Sequence, residues 1–524
     1  MPQALLPKPI SKRNSFQLGA LFLFLYWLFG FDGITFSDDV YYLLAGRDFW
    51  NGEMEVNAYH FSSRWGAYVP AGLMAWIFGL DPHRISLISW ISYVGTLALL
   101  LQILPKNSKP WILVLGFSTQ VYFLHFLTKV YPDSLLVFWT TLVPYAAFFR
   151  KDKPILASLG LIAGLFFGFI TKETIVFVAP LPGLLLLYDW KKNELSKSFY
   201  LGLLAWGLAF GAVYFGYFWI RFDNPFYRID SLQAGHYVSE YTYADKSAWV
   251  MFKRLTVLPV LTLIERAYWL WVVLSIPVLH LMWNGKIKQG VEFGLAFMSL
   301  GVCFWLMTTN LEFYNPLYLN PRHLIILVPI MSFLISIGWD QIWGNRSYRR
   351  IIFGLLAFGV LVSLGQQDWK MAGFQATVLG ILWLSIRIEK WKFFLPLVLL
   401  VPPIASIFYQ FRIKDYSNFR ESLVEQCLKD SSPILVNNFV QFSAEVLLPE
   451  HPSGQSLLLP IEKLDSLAPV LPDNFRVFLY EYYRHAYPKE QEDVERLESW
   501  LNSQATLLAE EKKGKVWIRT FRKK

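Results

Sequence analysis

The sequence predicts a polytopic α-helical membrane protein with a small α/β domain at its C-terminal end. Three observations predict it. The chain is 55% hydrophobic and only 17% charged, with a mean hydropathy of +0.36, where soluble chains carry about 25% charged residues. Apolar runs of the length a bilayer requires, roughly 20 residues, recur as far as residue 411. Beyond that point the composition becomes polar and mixed in charge, which divides the chain into residues 1–412 and 413–524.

Lys8, Lys12 and Arg13 precede the first apolar run, as in a signal peptide. No small-residue cleavage site follows, so the run is read as an uncleaved first helix. Candidate spans then lie at 17–36, 85–104, 111–127, 134–149, 155–170, 174–189, 199–220, 265–283, 291–308, 323–343, 351–366, 372–387 and 393–411. Hydropathy thus predicts about 13 transmembrane helices. The run 65–80 is shorter and contains Pro70 and Gly72. It is read as an interfacial or re-entrant helix within a long first outer loop, residues 37–83.

Orientation follows from the loop cations. Lys106 and Lys109; Arg150, Lys151 and Lys153; Lys191, Lys192 and Lys197; Lys286 and Lys288; Arg346, Arg349 and Arg350; and Arg387, Lys390 and Lys392 all fall on the side of the N-terminus. The positive-inside rule makes that side cytoplasmic. The first loop, the turn 128–133, the segment 171–174, the loops 221–263 and 308–322, and the C-terminal domain are then expected outside, across a bacterial-type inner membrane. The net charge of +9 is explained by these topology signals and by contact with anionic membrane lipids, so no nucleic-acid partner is expected.

In the tail, residues 433–436, 475–479 and 515–519 read as strands, and 418–428 and 490–501 as helices, the latter with Val494, Leu497 and Leu501 on one face. No nucleotide-binding glycine loop, internal repeat or low-complexity tract is present. Cys303 lies in an apolar run and Cys427 in the tail, which argues against a disulfide framework.

The residues that can carry chemistry collect on the outer face. Asp38 and Asp39 stand together where the first apolar run ends, and acids at that depth mark a functional site. Ser37 and Asp38 also suit a helix N-terminus, which accounts for one acid better than for two. Partial desolvation and the neighbouring acid are expected to raise the pKa of one of them towards that of a general base. Tyr42 lies one turn further along the same helix. Arg64, Lys172 and Arg322 sit at the edges of apolar segments. Each can snorkel to headgroups, and together they can bind a phosphate. Asp133 precedes a span and can cap it, or orient a cation or a sugar hydroxyl; Glu173 is similar. His60 and His323 are not spaced as a metal pair. The sequence specifies no cofactor and leaves a divalent metal open.

This set of motifs resembles the GT-C superfamily of membrane glycosyltransferases, in particular the bacterial protein O-mannosyltransferases and the lipid A aminoarabinose transferase. The resemblance rests on Asp38-Asp39-x-x-Tyr42-x-x-x-x-Arg47, Asn51-Gly52, His60-x-x-x-Arg64-x-Gly66, Thr171-Lys172, Asp223-Asn224-Pro225-Phe226-Tyr227 and Pro321-Arg322-His323 with Pro329. Glu173 stands where the family has glycine after Thr-Lys, and the oligosaccharyltransferase motif Trp-Trp-Asp-Tyr-Gly is absent. The resemblance implies a polyprenyl-phosphate-linked sugar donor, transfer to an extracytoplasmic hydroxyl of a protein, lipid A or envelope glycan, and inversion at the anomeric carbon. Asp38 and Asp39 would be catalytic. Lys172, Arg322 and Arg64 would hold the donor phosphate, with Tyr42, His60, Asp133, Glu173 and His323 available to substrate. A secondary transporter or a lipid or glycolipid flippase is the alternative of a different class.

Overall fold

The computed structural model of the protein describes residues 11–234 and 242–524. Lys8 and part of the loop predicted at 221–263 lie outside the described residues. Helix starts follow local chemistry. The Ser11 hydroxyl accepts from the Asn14 amide (3.1 Å) and opens Lys12–Phe29. Pro110–Phe117, Pro132–Phe148 and Pro154–Thr171 begin on proline, whose missing N–H is not needed in a first turn.

Each predicted span falls on a helix, but the count of 13 is not reproduced by length. Among the described residues, seven helices are long and apolar enough to cross a membrane, or nine if two sharply bent pairs each count as one span. The bends are what the apolar runs concealed. The run 111–127 breaks by 74° between Pro110–Phe117 and Val121–Leu127, at Ser118-Thr119-Gln120. The other pair, Leu258–Glu265 and Trp269–Trp283, bends by 116°, with Ala267 in the left-handed region (φ 58°). The two breaks touch: Gln120 Nε2 donates to the Arg266 carbonyl at 3.1 Å. At the centre of the bundle, Leu327–Gly344 is buried along nearly its whole length.

The short apolar run forms Trp65–Phe78, 14 residues with Pro70 inside it, too short to span. It lies across Asp38–Asn51 at a glycine pair. A Cβ on Gly72 would come within 2.1 Å of the Gly46 carbonyl oxygen, and one on Gly46 within 2.6 Å of the Tyr68 carbonyl oxygen. Backbone meets backbone there, so no rotamer change relieves a larger residue. Gly72→Val is expected to destabilise the protein by about 1–3 kcal/mol, read as a lower thermal midpoint in detergent. An unchanged midpoint would mean that this crossing is not formed.

Helix Phe394–Lys414 leads through Asp415 (φ 49°) into Tyr416–Lys429. A five-stranded sheet follows, built from β1 (Ile434–Val436), β2 (Leu458–Pro460), β3 (Asn474–Tyr480), β4 (Ala505–Lys513) and β5 (Val516–Lys523) in the order β2-β1-β3-β5-β4. β1 pairs in parallel with β2 and β3; β5 is antiparallel to β3 and β4, with Phe478 opposite Ile518. The strands expected at 433–436, 475–479 and 515–519 are β1, β3 and β5, and the helices expected at 418–428 and 490–501 are Tyr416–Lys429 and Glu490–Gln504. β2 and β4 were not anticipated. β2 has three residues, and β4 is an edge strand whose side chains are mostly exposed, so neither shows an apolar alternation.

Candidate functional site

A single loop, residues 30–37, joins the first helix to Asp38–Asn51, and charged side chains from distant parts of the chain converge beside it. Asp38 opens its helix and pairs with Arg322, Oδ2 to Nη1 at 2.8 Å, each side chain about one quarter exposed (24% and 25%). The Arg322 guanidinium also lies over the Tyr131 ring, 5.4 Å from its centroid. Lys172 follows Pro154–Thr171 and donates to Asp133 Oδ1 at 2.6 Å. Both are buried. Arg64 grips Glu173 through Nε and Nη2 (3.1 and 2.6 Å) and donates from Nη1 to the Tyr42 hydroxyl at 2.6 Å. Such forked, charge-assisted pairs fix geometry as well as charge. His323 is beside Arg322, whose Nε lies 3.5 Å from its Nε2. His60 is buried and packs against the Phe61 and Tyr59 rings.

One expectation requires correction. The Asp38 carboxyl is not raised. Burial pushes it up, but the charge and hydrogen bond of Arg322 outweigh burial, with help from Lys172 and Arg64, and hold it below the usual carboxylate range. The Asp39 carboxylate accepts from the Thr35 amide (2.6 Å), the Thr35 hydroxyl (2.7 Å) and the Ser37 amide (3.1 Å), so it shapes the loop before its own helix. Burial pushes the Lys172 ammonium down to about 8 against the pull of Asp133.

Glu173, which stands in the glycine position of the Thr-Lys-Gly pattern, is the counter-charge of the cluster. It holds Arg64 on one side and Arg228 on the other, the latter at 2.5 Å. Arg228 was missed. It is buried on Tyr227–Ala234 and also donates to the Ser63 and Phe169 carbonyls (3.0 and 2.9 Å). The signal available was its position one residue past the Asp223–Tyr227 stretch. Also missed was a second buried group: Lys129 and Lys414 both engage Asp32, the latter at 2.9 Å, while Lys129 also reaches the Gly33 carbonyl. Asp32 stands in the stretch that carries Asp38, Lys414 ends an apolar helix and Lys129 lies two residues past another, which was the legible sign. Among the described residues, no group of three or more His, Cys, Asp or Glu side chains is placed to hold a metal ion.

A helical bundle with membrane-length helices, a C-terminal sheet domain and a mixed-charge cluster beside the first inter-helix loop defines a class: polytopic membrane proteins. Within that class the fold is the one seen in ArnT. The chain is similar to the crystal structure of ArnT from Cupriavidus metallidurans bound to undecaprenyl phosphate, with TM-score 0.56, 11% identity, and 96% of this chain and 97% of that one covered. It is similar likewise to apo ArnT from the same organism, with TM-score 0.58, 12% identity and the same coverage. At that identity the likeness is one of fold. The sequence matches no protein-family model and no curated protein.

Proposed function

We propose that the protein is a membrane glycosyltransferase that moves a sugar from a polyprenyl-phosphate-linked donor to a hydroxyl of an extracytoplasmic acceptor, with inversion. The observation that carries this reading is the Asp38–Arg322 ion pair, set among further cations in a protein with the ArnT fold. One of those ArnT structures binds undecaprenyl phosphate, the product such a donor would release.

Charge supports the reading. Arg64, Lys172, Arg228 and Arg322 face Asp38, Asp133 and Glu173, so four cations less three acids leave one positive charge. A phosphodiester brings a single negative charge and completes the balance. Arg64 and Arg228 share Glu173, whereas the Arg322–Asp38 pair is about one quarter exposed, so Arg322, with Lys172 beside it, is assigned to the phosphate. When Arg322 swings to a phosphate oxygen, Asp38 loses its partner while staying partly buried, and its basicity rises. The acceptor oxygen then attacks the anomeric carbon, Asp38 takes the hydroxyl proton, and the sugar–phosphate bond breaks. Arg322 and Lys172 stabilise the charge on the departing phosphate, an electrostatic role that is strong in a water-poor site. Asp39 shapes the loop beneath the base. In this reading Tyr42, Asp133 and His323 are the residues available to the sugar.

The test offers purified protein a polyprenyl-phosphate sugar with cell-envelope acceptors and follows polyprenyl phosphate release. Transport of a solute without donor consumption would support the transporter alternative instead. A reporter fused after Lys524 is expected to read as outside, and a cytoplasmic reading would reverse the assigned topology.

The pH dependence has a definite sign. Asp38 must be ionised to act, and its pKa is lowered in the folded protein. Wild-type kcat/KM is therefore expected to persist below the ordinary carboxylate range and to fall only as pH drops through the lowered value. In Arg322→Gln the largest lowering influence is lost while burial remains, so the acid limb moves to higher pH. A limb that stays in place would show that some other group titrates.

A further inference from the structure

We infer that the C-terminal domain is a working part of the transfer site, because Tyr487 and the aromatic cage around Phe36 hold in place the loop that aims Asp38. The inference rests on the glycosyl-transfer reading for its kinetic consequence, and on geometry alone for the contact itself.

The loop 33–37 has no secondary structure of its own, and buried backbone groups must find partners. Its carbonyls find them in distant side chains. Lys129 donates to Gly33, Lys414 to Ile34 at 3.0 Å, and the Tyr487 hydroxyl to both Thr35 and Phe36, at 3.0 and 2.8 Å. The last two carbonyls before Ser37 and Asp38 are thus gripped by one phenol from the C-terminal domain. Phe36 itself has φ 59°, a left-handed conformation that a bulky residue adopts only where its surroundings impose it. The surroundings are there. The Phe36 ring is 2% exposed and sits among Phe439, Phe419, Tyr480, Tyr482 and Tyr416, with centroids 5.1 to 6.1 Å away. All five belong to the chain after Lys414.

Phe36 lies two residues before Asp38, so its backbone sets where the helix Asp38–Asn51 begins and hence where the Asp38 carboxylate meets Arg322. Catalysis by proton transfer is sensitive to displacements of about 1 Å. Tyr487 and Phe36 touch no reacting atom and act through Asp38, as positioning residues. The tyrosine ring is separately anchored, stacked on Phe439 at 4.7 Å and 14°, so removing the hydroxyl leaves its packing intact.

Two measurements on the full-length protein in nanodiscs test the inference. In Tyr487→Phe, amide hydrogen exchange is expected to accelerate about tenfold or more across residues 33–39, with β3 and the thermal midpoint unchanged. With a polyprenyl-phosphate sugar as donor, kcat is expected to fall about tenfold or more while donor KM stays within about twofold. Phe36→Leu, which keeps an apolar side chain in the cage, is expected to give the same split. Unchanged exchange across 33–39 overturns the contact, whatever the activity. Faster exchange with unaltered kcat overturns the positioning role. A wild type that consumes no donor while Tyr487→Phe still loosens the loop defeats the glycosyl-transfer reading and leaves the grip on the loop standing.

Discussion

Asp38→Asn is expected to lower kcat by about 10²–10⁴-fold, the contribution typical of a general base, without weakening donor binding. The second half of that outcome separates a base from a structural acid. Asparagine keeps the size and the helix position of Asp38 but releases Arg322 from its 2.8 Å partner. The freed guanidinium becomes more available to the donor phosphate, so KM for the donor is expected to stay level or fall. Steady-state release of polyprenyl phosphate from wild type and variant measures both quantities. A variant within about threefold of wild type in kcat would remove Asp38 from the chemistry. A rise in KM with kcat intact would make it a binding residue.

The second large effect is on stability. Asp32 is 2% exposed and is the acid that both Lys129 and Lys414 engage. Asp32→Ala leaves two buried ammonium groups without it. Breaking a buried pair in this way costs about 3–5 kcal/mol, and here one acid serves two cations. The expected result is a large drop in the thermal midpoint and early proteolysis near residues 30–39, while the spanning helices far from the loop keep their helical signal. The charge on Lys129 is itself held against burial, which pushes its pKa down to about 8. The loss is therefore expected to shrink at alkaline pH, where Lys129 is more easily neutral. A midpoint within a degree or two of wild type would mean that the two lysines find other partners.

Helix placement was legible because a bilayer imposes length and apolarity on every span, and those are properties of a run of sequence. The convergence of Asp38 with Arg322, Lys172 and Arg64 was legible only as a shared face. What a run cannot display is partner choice. Glu173 read as a departure from a motif, and only the fold shows it between Arg64 and Arg228. Asp39 read as half of an acid pair, whereas its hydrogen bonds to Thr35 and Ser37 turn it towards the loop. The break at Ser118-Thr119-Gln120 was hidden because three polar residues lower an average hydropathy only slightly, although they are enough to interrupt a helix whose backbone can bond to a neighbour. β4 escaped because an exposed edge strand has no buried face to impose a period.

The way the loop before Asp38 is held also dictates an order of assembly. Its carbonyls wait for Lys414 and Tyr487, which follow their targets by 380 residues and by about 450 residues (452 and 451). A ribosome adds about 5–20 residues per second, so the loop spends tens of seconds without these partners while the bundle behind it is inserted. The nascent chain therefore displays its cations before it can aim its acid. Pulse-labelled chains are expected to gain protease resistance at residues 31–39 only after synthesis has passed Tyr487. Completion of the last domain is then the step that fixes the backbone ahead of Asp38.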